Sequence, residues 1–424
     1  MIETLIIADD LTGAADCAVS CATAGADTVV LLDANADPGG ATAASVDVNS
    51  RAMMVQEAGA AVTGAVQHLY SKSTRILYHK IDSTLRGNWP SELAHIRQAA
   101  TDVLGYAPFV IVAPAFPGAG RATIDGHVFV NGTPLENTGL WKQADATQSA
   151  DLRTIVADVG LKVGVVTLEQ VALGTEALKA RLAKWADAGC DVVVCDAQIE
   201  DNLLTVAAAS LMLPGKPLWV GSAGLMRALV RAGEGEVVPT SAPIRAAAGK
   251  PIFIVVGSAS SVSHTQFEAL AEEQGVVPVT ILPSTLRESS APERVQSCAQ
   301  TLDAALASGV DVAVTIRGEE VNFQAGPRLA AALAVLIAAR LPRVGGLIVT
   351  GGETARAILD RAGISGLRMQ GEIEPGAPVG ISIGDFAIPV ITKAGAFGDH
   401  MTLTRCRAIL RGGRSNHSNS TMSG

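Results

Sequence analysis

Aromatic residues make up only 4% of this 424-residue chain and charged residues only 17%. No apolar run approaches the roughly 20 residues that a membrane-spanning helix requires. No basic cluster occurs and the formal net charge is −9. That argues against nucleic acid as a partner, because phosphate-backbone binding needs a concentrated positive patch. It does not exclude small anions, which need only a few local donors. The six cysteines, at 17, 21, 190, 195, 298 and 406, form neither a C-x-x-C pair nor a metal-ligand spacing. Dispersed thiols in apolar surroundings act as small core residues. With no basic n-region or cleavage site at the start, the expectation is a soluble cytoplasmic protein. Two nucleotide signatures are also missing. There is no G-x-x-x-x-G-K-[ST], and Thr123 stands where a dinucleotide fingerprint would need its third glycine. Protein-kinase motifs are absent as well.

What is present is a chain with 48% apolar residues, long enough for two domains. Short β-like runs alternate with Ala-rich helical stretches, the pattern of an α/β fold with mainly parallel sheets flanked by helices. In the first half the expected strands are Thr4–Ala8, Thr28–Leu32, Ile76–His79, Phe109–Ala113, Val163–Val166, Val192–Cys195 and Pro217–Val220. Residues 234–250, rich in Gly, Pro and Ala, break the rhythm and are expected to be a linker between a domain over 1–233 and another over 251–411. The second half resumes with Pro251–Val256, Val277–Leu282, Asp311–Ile316, Gly346–Thr350 and Phe386–Thr392. The Ser/Asn/Gly-rich 412–424 reads as a disordered tail.

The chain's chemistry is concentrated where strands end. Leu5–Ala8 runs straight into Asp9 and Asp10, then Thr12 and Gly13 turn into a helix. Ligands of open α/β sheets collect at such carboxyl ends. One acid would suffice to cap the helix; two repel and call for a cation, a metal or a proton-transfer role. Leu77–Asn88 repeats the arrangement with Lys80, Asp82, Ser83, Thr84 and Arg86 after a strand. Such a mixture suits a polyhydroxy carboxylate, although Asp82 and Arg86 could simply pair with each other. Arg51 adds a planar fork for a carboxylate. The loop Ala113–Gly126 offers Arg121 and His127 as pocket-wall candidates, and Gly221–Gly224 could hold a substrate group or an interdomain contact.

In the second half three strands run into glycine and hydroxyl residues: Val256–Ser261, Thr350–Ala355 and Lys393–Asp399. Glycine lets the backbone approach closely, and helix N-termini attract phosphate oxygens. Repetition of the motif within one domain points to a nucleotide phosphate site.

Taken in order, I-A-D-D-L-T-G-A-A-D, K-I-D-S-T-L-R-G-N, A-P-A-F-P-G-A-G-R, G-S-A-G-L, V-G-S-A-S-S, G-G-E-T-A, E-I-E-P-G-A-P-x-G and K-A-G-A-F-G-D resemble the four-carbon acid sugar kinase family, over residues 5–399. The resemblance implies a sugar-acid-binding N-terminal domain and an ATP-binding C-terminal domain, with the active site in the cleft between them. It implies ATP-dependent phosphorylation of the terminal hydroxyl of a tetronate. The K-I-D-S-T-L-R-G-N form looks more like D-threonate or D-erythronate kinases than the 3-oxo-tetronate branch. The substrate residues implied are Asp9, Asp10, Arg51, Lys80, Ile81, Asp82, Ser83, Thr84 and Arg86, with Asp10 orienting or deprotonating the hydroxyl. ATP would meet Ser258, Gly351, Gly352, Glu353, Thr354 and Gly395. Mg²⁺ is expected with ATP, with Asp9 or Asp399 as candidates to help hold it; the sequence does not give the oligomeric state, although two-domain enzymes of this sort are often homodimers. An NAD-dependent dehydrogenase and a non-catalytic sugar-acid binding protein are the rival readings.

Overall fold

The computed structural model describes residues 1–143, 149–233, 244–287, 291–318 and 326–413. The chain forms two compact units, Met1–Pro239 and Thr240–Gly424. Both are α/β, with mainly parallel strands between helices.

The first unit contains strands β1 (Thr4–Ala8), β2 (Thr28–Leu31), β3 (Ala43–Asp47), β4 (Ile76–Lys80), β5 (Val110–Ala113), β6 (Arg121–Ile124), β7 (His127–Val130), β8 (Thr133–Pro134), β9 (Val163–Val166), β10 (Val192–Cys195) and β11 (Leu218–Gly221). Eight of them form a sheet in the order β2-β3-β1-β4-β11-β5-β10-β9, and every pair is parallel. Helices cover both faces, which explains why β1 is apolar without alternation. Leu5, Ile6 and Ile7 are fully buried, each contributing about 1.5–3 kcal/mol relative to exposure.

The chain leaves β1 for β2 and β3 on one side and then crosses to β4 on the other. The order therefore reverses at β1, whose carboxyl end is the kind of place where ligands of open α/β sheets collect. Register keeps the neighbouring ends level, with Ala8 opposite both Asp47 and Lys80, and Lys80 opposite Gly221. Three helices start near that edge: α1 (Leu11–Thr23), α2 (Val55–Leu69) and α3 (Trp89–Leu104). The antiparallel sheet β6-β7-β8 is an excursion after β5, tied to the segment after β10 by reciprocal Thr123–Ala197 backbone hydrogen bonds of 2.8 and 3.1 Å.

In the second unit β12 (Ile252–Val256), β13 (Val276–Ile281), β14 (Asp311–Ile316), β15 (Gly346–Thr350), β16 (Ile364–Glu372), β17 (Pro378–Gly384) and β18 (Pro389–Lys393) align in the order β13-β14-β12-β15-β18-β17-β16. The first five are parallel, while β17 is antiparallel to both β18 and β16. Val256, Thr350 and Lys393 end level with one another.

The structure departs from the sequence expectation in several places, the β6-β7-β8 sheet among them. Strand β3 was not anticipated because Ala43–Asp47, although buried throughout, opens on Ala-Ala-Ser rather than on branched apolar residues. The β16–β17 pair carries register shifts at Ile364/Gly366 and Met369/Gly371, which erase the period-2 signal. Of the expected linker, residues 234–243 lie outside the described residues. Its second part packs on the second unit: Ile244 and Ala246 lie against the core, and Ala246 N–H donates to Leu410 at 2.8 Å. Of the expected tail, residues 414–424 are outside the described residues. None of the six cysteines forms a disulfide. Among the described residues no helix is long and apolar enough to cross a membrane.

Candidate active site

Asp10 has extended backbone and caps α1, accepting from Gly13 N–H at 3.0 Å. Capping is only part of its work. Its carboxylate also accepts the Thr12 hydroxyl at 2.6 Å and Arg51 Nη1 at 3.0 Å. Arg51 simultaneously forks onto the buried Asp9, with Nε and Nη2 at 2.7 and 2.9 Å. The Lys80 ammonium, also buried, packs above Gly13: a Cβ there would stand 2.3 Å from Lys Nζ and 2.6 Å from Asp10 Oδ1. A larger residue there would have to displace the Lys80 ammonium or the Asp10 carboxylate.

The two neighbouring acids diverge electrostatically. Burial pushes the Asp9 carboxyl up, with Arg51 opposing and Asp10 adding to the rise. Burial acts the same way on Asp10, but there Arg51, Lys80 and the Thr12 hydroxyl outweigh it and hold the carboxyl below its ordinary value. For Lys80, burial works against the charge, and Asp10 and Asp9 overcome it to raise its pKa.

The β4–α3 loop forms the adjoining wall. Asp82 pairs with Arg86 at 2.6 and 3.1 Å and accepts the Thr84 hydroxyl. The pairing that the spacing allowed is therefore present, and it holds Asp82 well below the usual carboxylate range against the effect of burial. Leu85 turns the loop with φ +61 and tucks inside. Arg86 stays exposed, Ser83 is half-buried with its hydroxyl unbonded among the described residues, and Thr84 is buried. Ile81 is fully buried and its N–H donates to the Gly221 carbonyl at 2.9 Å, so it anchors the loop through its backbone while its side chain lies in the core.

Gly87 and Asn88 close this wall, and residue-type reasoning did not single them out. Gly87 (φ +89) lies over Arg51 and Asp9, and Asn88 Nδ2 donates to the Ser50 and Met53 carbonyls at 3.1 and 2.9 Å. Their signal was the G-N that ends the K-I-D-S-T-L-R-G-N segment. His127 sits apart, half-buried and 3.9 Å from Asp151. Gly221 and Gly224 are packing residues, since a Cβ on either would meet the carbonyl of Ala113 or Ala115 within 3 Å.

In the second unit the ends of β12 and β15 open into a cavity of about 520 Å³. Ser258, Gly351, Gly352, Glu353 and Thr354 line it, as do His264, Arg317 and the apolar Ile316, Leu329 and Ala330. The last five carried no sequence motif. Space here is kept by missing side chains. A Cβ on Gly257 would stand 2.1 Å from Thr354 Oγ1, and one on Gly395 would stand 1.9 Å from Ser258 Oγ. Gly351 adopts φ +90, which favours glycine. The loop carrying Gly395 is held from beneath by Lys393, whose buried ammonium donates to the carbonyls of Ala394, Gly395 and Phe397 at 2.8, 3.3 and 2.9 Å. Gln266 adds bonds to Phe397 and Asp399.

Neither acid suggested for a metal is free. Asp9 is gripped by Arg51, and Asp399 is exposed and paired with Arg405 at 2.9 Å. Among the described residues no group of three or more His, Cys, Asp or Glu could hold a metal ion.

Comparison with known proteins fits this division. A family model for a sugar-binding N-terminal domain matches residues 4–229, and one for a nucleotide-binding C-terminal domain matches residues 253–403. A D-threonate kinase of Cupriavidus necator is 42% identical, over 94% of this chain and 96% of its own. The chain belongs to the four-carbon acid sugar kinase family. As a member it is a sugar acid kinase that uses ATP, which sets aside the dehydrogenase and binding-protein readings. A D-threonate kinase of Salmonella typhimurium is 32% identical, over 96% of this chain and 98% of its own. A solved Salmonella typhimurium structure named as a tRNA synthase superposes with a TM-score of 0.80 at 22% identity, covering 96% of this chain and 99% of that one. At that identity the likeness shows the fold alone.

Proposed function

We propose that this kinase transfers the γ-phosphoryl group of ATP to the terminal 4-hydroxyl of D-threonate, giving 4-phospho-D-threonate. The carrying observation is Asp10, held ionised at a helix N-terminus between Arg51 and Lys80. The two relatives at 42% and 32% identity, both D-threonate kinases, support the choice of acid.

In this reading the sugar acid lies against the carboxyl ends of β1, β3 and β4. Ser83, whose hydroxyl is unspent, and Thr84 and Arg86 take its oxygens, while Asp9, Asp82 and Lys80 fix the charges behind them. Asp10 orients the 4-hydroxyl. Its carboxylate is already well supplied with donors, so the substrate hydroxyl replaces that of Thr12, whose rotor turns away at little cost. ATP fits the glycine-lined cavity, with phosphates over Ser258, Gly351–Thr354 and Gly395 and the base against Ile316, Leu329 and Ala330. The cavity supplies backbone donors at a helix N-terminus, which suits phosphate. A divalent cation carried with the nucleotide would supply neutralisation of phosphate charge, and no cluster of acids among the described residues is arranged to hold it. The chain's part is positioning and charge, which is most of what phosphoryl transfer asks of a protein.

The test is ADP release measured across D-threonate, D-erythronate and a 3-oxo-tetronate. D-threonate should give the highest kcat/KM, and Asp10→Asn should lower kcat by roughly 10²-fold or more. A near-normal kcat in that variant would remove Asp10 from the mechanism, and a preference for another acid would reassign the substrate.

A further inference from the structure

Most charges at the first unit's strand ends are matched. Arg51 pairs with Asp9 and Asp10, Arg86 pairs with Asp82, and Lys80 is kept charged by the fields of Asp10 and Asp9. Arg121 makes no hydrogen bond or ion pair to a carboxylate among the described residues. Its Nη1 donates to the Ala119 carbonyl, and its Nε is buried without a partner. A buried donor left unsatisfied is costly and calls for an explanation.

The position of Arg121 is firm. Reciprocal hydrogen bonds of 3.0 Å lock its backbone to Phe116, Gly120 closes the turn at φ +71, and β6 is tied to Ala197. Asp82 and Arg86 are near enough to act on its charge. Burial pulls its pKa down, Asp82 opposes this and Arg86 adds to it. A guanidinium with a donor to spare, in the unit that also offers the unbonded Ser83 hydroxyl, is a complement to a ligand carrying one carboxylate and several hydroxyls.

We propose that Arg121 grips the carboxylate of the sugar acid and imposes the requirement for an acid over a neutral polyol. This rests on the reading that a four-carbon sugar acid binds at these strand ends. The fork of a guanidinium matches a carboxylate in two parallel hydrogen bonds, which a lysine cannot reproduce.

The test compares wild type with Arg121→Ala, Arg121→Gln and Arg121→Lys, each checked by thermal melting. Arg121→Ala and Arg121→Gln should raise KM for D-threonate about 10- to 100-fold while leaving KM for ATP unchanged. Arg121→Lys should fall between. Added guanidinium chloride at millimolar concentration should restore part of the activity of Arg121→Ala and none to wild type, which a merely structural role would not produce. Unchanged KM for D-threonate in folded Arg121→Gln, or equal losses toward acid and ATP, would overturn the assignment. Failure of the wild-type enzyme to turn over any four-carbon sugar acid would instead overturn the function on which it rests.

Discussion

Replacing Arg51 by Met should destabilise the first unit sharply, and the loss should depend on pH. Arg51 reaches Asp9 through two hydrogen bonds of 2.7 and 2.9 Å, and the Asp9 side chain is only 1% exposed. Removing one partner of a buried pair costs about 3–5 kcal/mol, because the other charge is left uncompensated. Arg51 itself is 24% exposed, which places the cost near 3 kcal/mol. In a unit of this size each kcal/mol shifts Tm by about 2–4 °C, so a drop of roughly 6–12 °C follows. The folded-state pKa of Asp9 is already raised by burial, and losing Arg51 raises it further. A carboxyl raised in the fold binds protons more readily there than in the unfolded chain. Its stabilising contribution is full below the unfolded carboxylate value of about 3.9 and is lost as pH rises through the folded pKa. The penalty in Arg51→Met should therefore be largest near pH 7.5 and smaller at pH 5. Adding Asp9→Asn should recover most of the lost Tm at pH 7.5. Melting curves for wild type, both single variants and the double variant at the two pH values provide the assay. Equal losses at both pH values, with no recovery in the double variant, would refute the account of Asp9 as a charge kept in place by Arg51.

The nucleotide side gives two further expectations. Gly257→Ala places a methyl 2.1 Å from Thr354 Oγ1 and within 2.6 Å of its Cβ, a collision costing about 1–3 kcal/mol. KM for ATP should rise about fivefold to a hundredfold with KM for D-threonate unchanged, and steady-state kinetics with each substrate varied would show the reverse if this wall served the sugar acid. Lys393 is pushed down to about 8 by burial, with Cys406 and Glu374 opposing. Below that pH its ammonium supplies all three loop carbonyls, and above it a proton is lost, so ATP affinity measured by calorimetry should weaken several-fold between pH 7 and pH 9. Lys393→Met should bind ATP more weakly throughout and show a flat profile; an unchanged pH dependence would disprove the link.

The parts of the fold that could be seen in the sequence are those where burial on both faces produces an unbroken apolar run. Strands β1 and β10 have the bounds expected, because Val, Ile and Leu have no polar residue to alternate with, and the edge strand β9 has them too because its residues are apolar although only alternate ones are buried. Strand β3 escaped since Ala43, Ala44 and Ser45 lack the branched side chains that advertise a strand. Strands β6 and β7 escaped for a different reason. They follow a Pro/Gly-rich turn and are only four residues long, so they read as loop. The site divides likewise. Asp10, Arg51 and Lys80 are brought together by parallel register, and motif order located each of them. Pairing partners were beyond reach, since nothing in residue spacing says that Arg51 would fork onto Asp9, or that Arg121 would be left over. The apolar side of the nucleotide cavity, Ile316, Leu329 and Ala330, consists of ordinary core residue types and acquires meaning only from its position.

The opposite behaviour of Asp9 and Asp10 decides which part each can play. Neighbouring acids whose environments push their pKa values apart usually divide a job between them. Asp9 has no exposed surface to offer and serves as the counter-ion that aims Arg51. Asp10 is partly open and remains ionised, but the same donors that keep it charged also make it a weak base. A strong base is not needed here. The transferred phosphoryl group passes through a loose transition state in which the attacking hydroxyl keeps its proton until late. On the proposed mechanism orientation matters more than proton affinity, and a permanently ionised carboxylate at a helix N-terminus would supply it across the neutral and mildly acidic range. Loss of kcat on acidification should therefore not track Asp10 above pH 5; a limb near pH 6 that vanishes in Asp10→Asn would show that Asp10 is a tuned base after all, and that Arg51 and Lys80 move away from it when substrate binds.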